Sequence, residues 1–357
     1  MYILYDLAVY LTAMLLHVPA LFQPKLRAFL KGRREVWTYL QAFRDKNRPL
    51  IWMHAASLGE FEQGLPVLQR LQKTYPDYQF LVTFFSPSGY EIKKDKIPGA
   101  GVAYLPLDKR AAARRFLKQA APSLALFIKY EVWPNFYREL ERAGIPNLMI
   151  SALFKPGQAY FKWYGGFMRK ALSRVRHFYL QDDASARLLD SIGMHNHEIC
   201  GDTRFDRVLE ILSQDNSLPF MERFTGGRTC LVAGSTWPED EKVLLPWIRR
   251  LDFEKYCVVL APHTIHPAAS RRLLEALGEK AVRYSEGSSA INSQAGVLIL
   301  DTIGLLTRVY SYAALAYVGG GFATGLHNTL EPAVFGIPVI IGPHYQGFRE
   351  AEDLVRH

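Results

Sequence analysis

The chain has 357 residues, 49% of them hydrophobic and 22% charged, and carries a net charge of +9. That length exceeds one ordinary core and predicts two domains of about 150–200 residues, and the composition excludes a disordered or low-complexity protein. The three cysteines, Cys200, Cys230 and Cys257, form no CxxC or Cys/His cluster, so no disulfide framework or structural zinc is indicated and a reducing compartment fits.

The charge is uneven along the chain. Residues 1–180 hold 27 Lys and Arg against 12 Asp and Glu, whereas the remainder holds 16 against 22. A basic first half suits nucleic acid, an anionic membrane or an acidic substrate. No zinc-finger, helix-turn-helix or RNA-binding pattern accompanies it, so nucleic acid is not an expected partner.

Residues 2–22 are mostly apolar but interrupted by Asp6, His17 and Pro19, and Lys25, Arg27, Lys31, Arg33 and Arg34 follow. No small-residue cleavage site is present, so a removed signal peptide is not expected. Residues 1–24 read as a membrane anchor, spanning or lying in the interface, with the basic residues on the cytoplasmic side. The bland alternative is a helix packed on the first domain.

Apolar runs of strand length then alternate with helical patterns. Strands are expected at 50–55, 80–85, 102–107, 124–129, 147–151, 178–181 and 198–201, with helical stretches such as 61–73, 111–120 and 184–192. The pattern restarts after the polar stretch 213–228, with strands at 230–235, 257–262, 297–301, 315–321 and 338–343. Near-continuous apolar strands joined by helices mean parallel sheets covered on both faces. The fold class is therefore α/β, with two doubly wound, Rossmann-like domains at 25–212 and 213–357 facing across a cleft. Ligands in such folds bind outside the carboxyl ends of the strands.

The informative residues fall at those ends. HAASLGEFEQG (54–64) makes a tight turn into a helix whose first turn carries Glu60, either a helix cap or a general base. KYEVWPN (129–135) brings Lys129 and Glu131, which share one side if the strand stays extended and so form either a buried pair or a substrate contact. GDTRFD (201–206) carries Arg204, which points into the cleft or pairs with Asp202 or Asp206. AGST (233–236), with Gly234, Ser235 and Thr236, is expected to open a helix whose N–H groups could hold a phosphate. APHTIHP (261–267) adds Pro262, His263 and His266 without a metal-ligand set. The stretch 317–344 is the most specific: three glycines including Gly320 end a strand, and HNTLEP (327–332) starts a helix with Glu331 in its first turn. A carboxylate there can hold both hydroxyls of a ribose. The glycines do not form GxGxxG, which disfavours a dinucleotide site.

With these motifs the chain resembles the Kdo (3-deoxy-D-manno-octulosonic acid) transferases of lipopolysaccharide synthesis over essentially its whole length. HAASLGE, EVWPN, GDTRFD, AGSTWPEDE, DTIG (301–304) and GGGFATGLHNTLEPA carry the resemblance. It implies a GT-B fold, an inverting glycosyltransferase, CMP-Kdo as donor, a lipid A precursor (lipid IVA) as acceptor, and no metal or other cofactor. It also implies a place on the cytoplasmic face of the inner membrane. It places the base at Glu60, a supporting cation at Arg204 where the family usually has Lys, and donor contacts at Pro262, His263, Ile303, Gly304, Leu305, Asn328, Thr329, Leu330 and Glu331. Ser57, Gly59 and Glu131 are assigned to the acceptor. This chain departs from the family at Lys129 (usually Glu), His263 (usually Arg) and Leu305 (usually Glu), and members usually continue past His357. Two other readings remain: a GT-B enzyme using a UDP-sugar, and a non-catalytic membrane-bound nucleotide-sugar sensor.

Overall fold

Every strand pairing among the described residues of the computed structural model is parallel; these residues are 1–287, 291–323 and 325–356. The chain divides into two units, Met1–Arg204 and Phe205–His357. The change of unit falls within the helix Thr203–Ser213, earlier in the chain than the boundary read at 212/213, because Val208 and Ile211 bury against Leu330.

In the first unit the strands are β1 (Leu50–Ala55), β2 (Gln79–Phe84), β3 (Ala100–Tyr104), β4 (Leu124–Ile128), β5 (Asn147–Ala152), β6 (His177–Leu180) and β7 (His197–Ile199), in the order β3-β2-β1-β4-β5-β6-β7. Alternate residues feed two layers, which is why the strands read as unbroken apolar runs. Trp52 enters one layer, its ring centroid 4.8 Å from Phe116, 5.2 Å from Phe127 and 5.6 Å from Phe136. Ile51 and Met53 enter the other, with Phe61 and Leu68 of the helix Leu58–Thr74. Burial of each such side chain contributes about 1.5–3 kcal/mol. Strand order reverses between β1 and β4, so the crevice favoured for ligands lies at their carboxyl ends.

The second unit contains β8 (Thr229–Thr236), β9 (Tyr256–Pro262), β10 (Ala281–Arg283), β11 (Val297–Ile299), β12 (Leu315–Val318) and β13 (Val339–Ile341), in the order β10-β11-β9-β8-β12-β13. Its reversal lies between β8 and β12, where AGST and the triple glycine end their strands. AGST is not the start of a helix as the sequence suggested: β8 runs through Thr236 with a register shift at Ser235, and the helix Pro238–Ile248 begins two residues later. Strand β10 was not anticipated, because Ala-Val-Arg is too short to stand out as an apolar run.

Residues Tyr2–Ala20 form a stretch long and apolar enough to cross a membrane, with mean hydropathy 1.5. The helix Tyr2–Leu15 nevertheless lays one side on the first unit. The Tyr2 ring meets Phe167 edge-on, Tyr5 donates its hydroxyl to Asp108 and Asp6 accepts from Asn135. Ile3, Leu4, Leu7, Leu11, Met14 and Leu15 remain exposed on the helix. The candidate anchor is thus docked by a polar-aromatic side and bare on an apolar one.

Candidate active site

In the first unit, Glu60 lies in the opening turn of the helix Leu58–Thr74 and is buried at 7% exposure. Its Oε2 accepts from the Ala56 N–H at 2.7 Å, so the carboxylate reaches back over the small-residue turn and caps it. Burial raises its pKa, opposed by the Ala56 N–H, the Lys129 ammonium and the Ser57 N–H. A carboxylate so desolvated is a stronger base than one in water. Capping and basicity are therefore compatible in one group. Ser57 occupies the cap position without contributing its side chain, and a Cβ at Gly59 would meet nothing within 4 Å.

Strand β4 ends at Ile128, and Lys129 takes φ +69°, a left-handed conformation that L-residues adopt at a cost of about 1–2 kcal/mol. The extended arrangement expected for Lys129 and Glu131 is therefore corrected, and the two form no ion pair. Lys129 answers instead to Glu60: burial lowers its pKa, Glu60 opposes this, and Arg204 and Lys155 reinforce it. Glu131 is pushed up to about 7, first by burial and then by the Glu60 charge. Its Oε2 stands 4.0 Å from Nε2 of His54. His54 is wholly buried and held neutral, its pKa driven to about 3 by burial. Because its Nδ1 faces the Thr83 carbonyl at 3.1 Å, Nδ1 carries the proton and Nε2 is a bare, unpartnered acceptor.

Arg204 forks onto Asp202, with Nε at 2.8 Å and Nη2 at 2.6 Å from Oδ2. Of the alternatives open from sequence, pairing with Asp202 is present. The charge of Arg204 still bears on Lys129, so Glu60, Lys129, Glu131 and Arg204 form one electrostatic group.

Sequence reasoning missed the polar cluster beneath this group. Gln181 donates to the Gln63 side chain at 3.1 Å and to the Ser151 carbonyl at 2.9 Å, and Thr203 donates to the Gln63 carbonyl at 2.5 Å. Gln63 follows Glu60 by one helical turn, so the cluster fixes the helix that carries the carboxylate. The one local signal is backbone strain, for Ser151 has φ +49°.

In the second unit, Gly234 packs under Tyr310 and Leu306, and a Cβ there would collide with the Tyr310 hydroxyl. Gly319 is required for a different reason: its Cα backs onto the main chain of Ser235 and Thr236, bringing the ends of β8 and β12 together. Gly320 has φ +96° and donates its N–H to Asp240 at 2.8 Å. Thr236 is buried and gives its hydroxyl to Glu241. Pro262 ends β9, and the exposed His263 donates its main-chain N–H to the Thr236 carbonyl. The His263 ring stacks on Trp237 at 4.5 Å and lies tilted against His327 at 4.4 Å, an aromatic trio that the sequence reading did not assemble.

Glu331 accepts from the Thr307 hydroxyl at 3.0 Å and from the Asn328 amide at 3.2 Å. Thr329 and Leu330 are buried, and the partly buried Leu305 packs on the core. Ile303 is 87% exposed and Gly304 has φ +91°. The short helix Leu330–Ala333 follows. Thr324, within the glycine-rich stretch, and His357 lie outside the described residues. Among the described residues no three His, Cys, Asp or Glu side chains are grouped to hold a metal ion.

Comparison with known proteins gives a consistent picture. The family described as 3-deoxy-D-manno-octulosonic-acid transferase (kdotransferase) matches residues 31–207. The 3-deoxy-D-manno-octulosonic acid transferase of Chlamydophila psittaci is 32% identical over 307 residues, covering 84% of this chain and 70% of that protein. Those of Rickettsia felis and Bordetella pertussis are each 30% identical, covering 83% and 84% of this chain and 64% and 73% of the relatives. Among solved structures, UDP-GlcNAc 2-epimerase from Neisseria meningitidis bound to UDP-GlcNAc matches with a TM-score of 0.56, at 12% identity, over 85% of each chain. That likeness is one of fold, the GT-B type.

Proposed function

Since the chain belongs to the 3-deoxy-D-manno-octulosonic acid transferase family of glycosyltransferases, we propose that it moves Kdo from CMP-Kdo to lipid IVA in lipopolysaccharide synthesis, with inversion and release of CMP. The observation that carries the reading is Glu60, a buried carboxylate of raised pKa at the carboxyl end of β1, facing the charge of Lys129, on which Arg204 also bears.

In this reading Glu60 takes the proton from a primary hydroxyl of the acylated disaccharide, and that oxygen attacks C2 of Kdo from the face opposite CMP. A single positioned base suffices for such a displacement and typically supplies about 10²–10⁴-fold. The pair Lys129 and Arg204 answers the negative charge of the substrates, the phosphates of the acceptor and the Kdo carboxylate among them. Glu131 lies beside the base and is assigned to the acceptor. In the second unit Glu331, braced by Thr307 and Asn328, receives the ribose, and the main chain of 234–236 receives the phosphate. The bare apolar side of Tyr2–Leu15 rests in the cytoplasmic face of the inner membrane, where the acceptor resides.

The experiment is direct. Full-length protein is incubated with lipid IVA and either CMP-Kdo or UDP-GlcNAc, and the lipid is weighed by mass spectrometry. One or more Kdo increments with CMP-Kdo alone are expected. A hexosamine increment, or no product from a sample that binds CMP, would displace the reading in favour of a UDP-sugar enzyme or a nucleotide-sugar sensor respectively.

A further inference from the structure

Two features noted in the sequence have no place in the reaction above: Asp6, a carboxylate inside an apolar run, and Asn135, the last residue of EVWPN. They meet. Asn135 Nδ2 donates to Asp6 Oδ1 at 2.6 Å and to the Asp108 carbonyl at 2.7 Å. Asn135 and Asp108 are both buried, where an unpaired polar group is costly.

Asp108 and Asn135 also end the loop that carries Lys129 and Glu131. The helix Pro134–Arg142 starts with free N–H groups, and Trp133 at its cap position provides no side-chain acceptor. Asp108, from the segment after β3, supplies both oxygens instead: Oδ2 accepts from Asn135 N–H at 3.1 Å and Oδ1 from Phe136 N–H at 3.0 Å. The orientation of Asp108 is fixed in turn by the Tyr5 hydroxyl, 2.7 Å from Oδ2. Residues 129–133 are therefore held between the end of β4 and a helix start secured by Asp108 and Asn135. A left-handed lysine persists only where its surroundings over-determine it.

We propose that the amino-terminal helix clamps the 129–133 loop, with Tyr5 and Asp6 acting through Asp108 and Asn135 as positioning residues for transfer. The inference rests on the reading of that loop as part of the transfer site. One helix thus serves two ends: its apolar side meets lipid, and its polar side holds Lys129 and Glu131 in register with Glu60. The interruption of the apolar run at Asp6 is the mark of the second task.

The test uses the full-length Tyr5→Phe/Asp6→Leu double variant, which keeps the ring and the apolar side. Flotation with anionic phospholipid vesicles should match wild type. The turnover number with CMP-Kdo and lipid IVA should fall about tenfold with the KM for CMP-Kdo within about twofold, as expected when reacting groups are misplaced and binding is kept. Amide hydrogen exchange over 129–137 should quicken about fivefold or more while β1 to β3 stay protected, the sign of local release. Asp6→Asn, which retains the accepting oxygen, should restore turnover. Unchanged turnover, unchanged exchange at 129–137, or exchange quickened throughout the first unit would each overturn the clamp. Should wild type show no Kdo transfer, the functional reading has failed and the exchange result alone decides the clamp. Should the double variant not fold, Tyr5→Phe is read by the same two measurements.

Discussion

The indole N–H of Trp237 donates to Nε2 of His327 at 3.0 Å. A ring that accepts there is unprotonated at that nitrogen, and burial, followed by the neighbouring His263, lowers the pKa of His327. The folded pKa lies below the unfolded one, so the stabilisation is complete above about pH 6.5 and is lost as pH falls through that value toward the folded pKa. The melting temperature should therefore decline between pH 7 and pH 5, and His327→Gln should flatten part of that decline. Equal slopes in both proteins would show that the stack does not titrate.

Glu60→Gln keeps the size of the side chain and an oxygen for the Ala56 N–H. Transfer should drop at least about a hundredfold, with CMP binding by calorimetry unchanged. Near-normal turnover would leave Glu60 as a helix cap alone.

For Lys129 the sign of a pH effect can be fixed in advance. Its ammonium draws the Glu60 pKa down, so Lys129→Met should raise that pKa and move the acid limb of the kcat/KM profile to higher pH. Lys129→Gly should also relieve left-handed strain and raise stability by about 1 kcal/mol while turnover falls. An acid limb that stays in place, or a glycine variant less stable than wild type, contradicts this account.

Glu331→Ala should weaken CMP binding by roughly 1.5–3 kcal/mol, the scale of a charge-assisted hydrogen-bond pair. Thr307 and Asn328 would lose their acceptor as well, so Glu331→Gln is the companion variant, expected to fall between the two. Equal affinities in a titration calorimeter would mean that Glu331 braces its own turn and nothing more.

The strands were legible because parallel strands buried on both sides are spelled in unbroken apolar residues, as LIWMHA and FLVTF show. Strand β10 was not, since a three-residue edge leaves no such run. The candidate residues of the first unit stand out in the sequence as strand-end motifs, yet their partners do not: Gln63 and Gln181 meet across 118 positions. Lys129 was misjudged because residue type does not announce a left-handed turn in a lysine. Asp6 was read only as a flaw in an apolar helix, because its partner Asn135 lies 129 positions away. Thr329 and Leu330 looked like ligand contacts in a motif, and only packing shows their side chains turned inward.

Three non-glycine residues, Lys129, Ser151 and Ser235, hold left-handed backbone at or just beyond the carboxyl ends of β4, β5 and β8. A directed-evolution campaign selecting for heat resistance would be drawn to these positions, where glycine or asparagine is conformationally cheaper. Survivors enriched there should be hardy but slow catalysts. Libraries meant to yield a robust transferase should therefore hold these three codons constant and seek their gains on the outward surfaces of the helices.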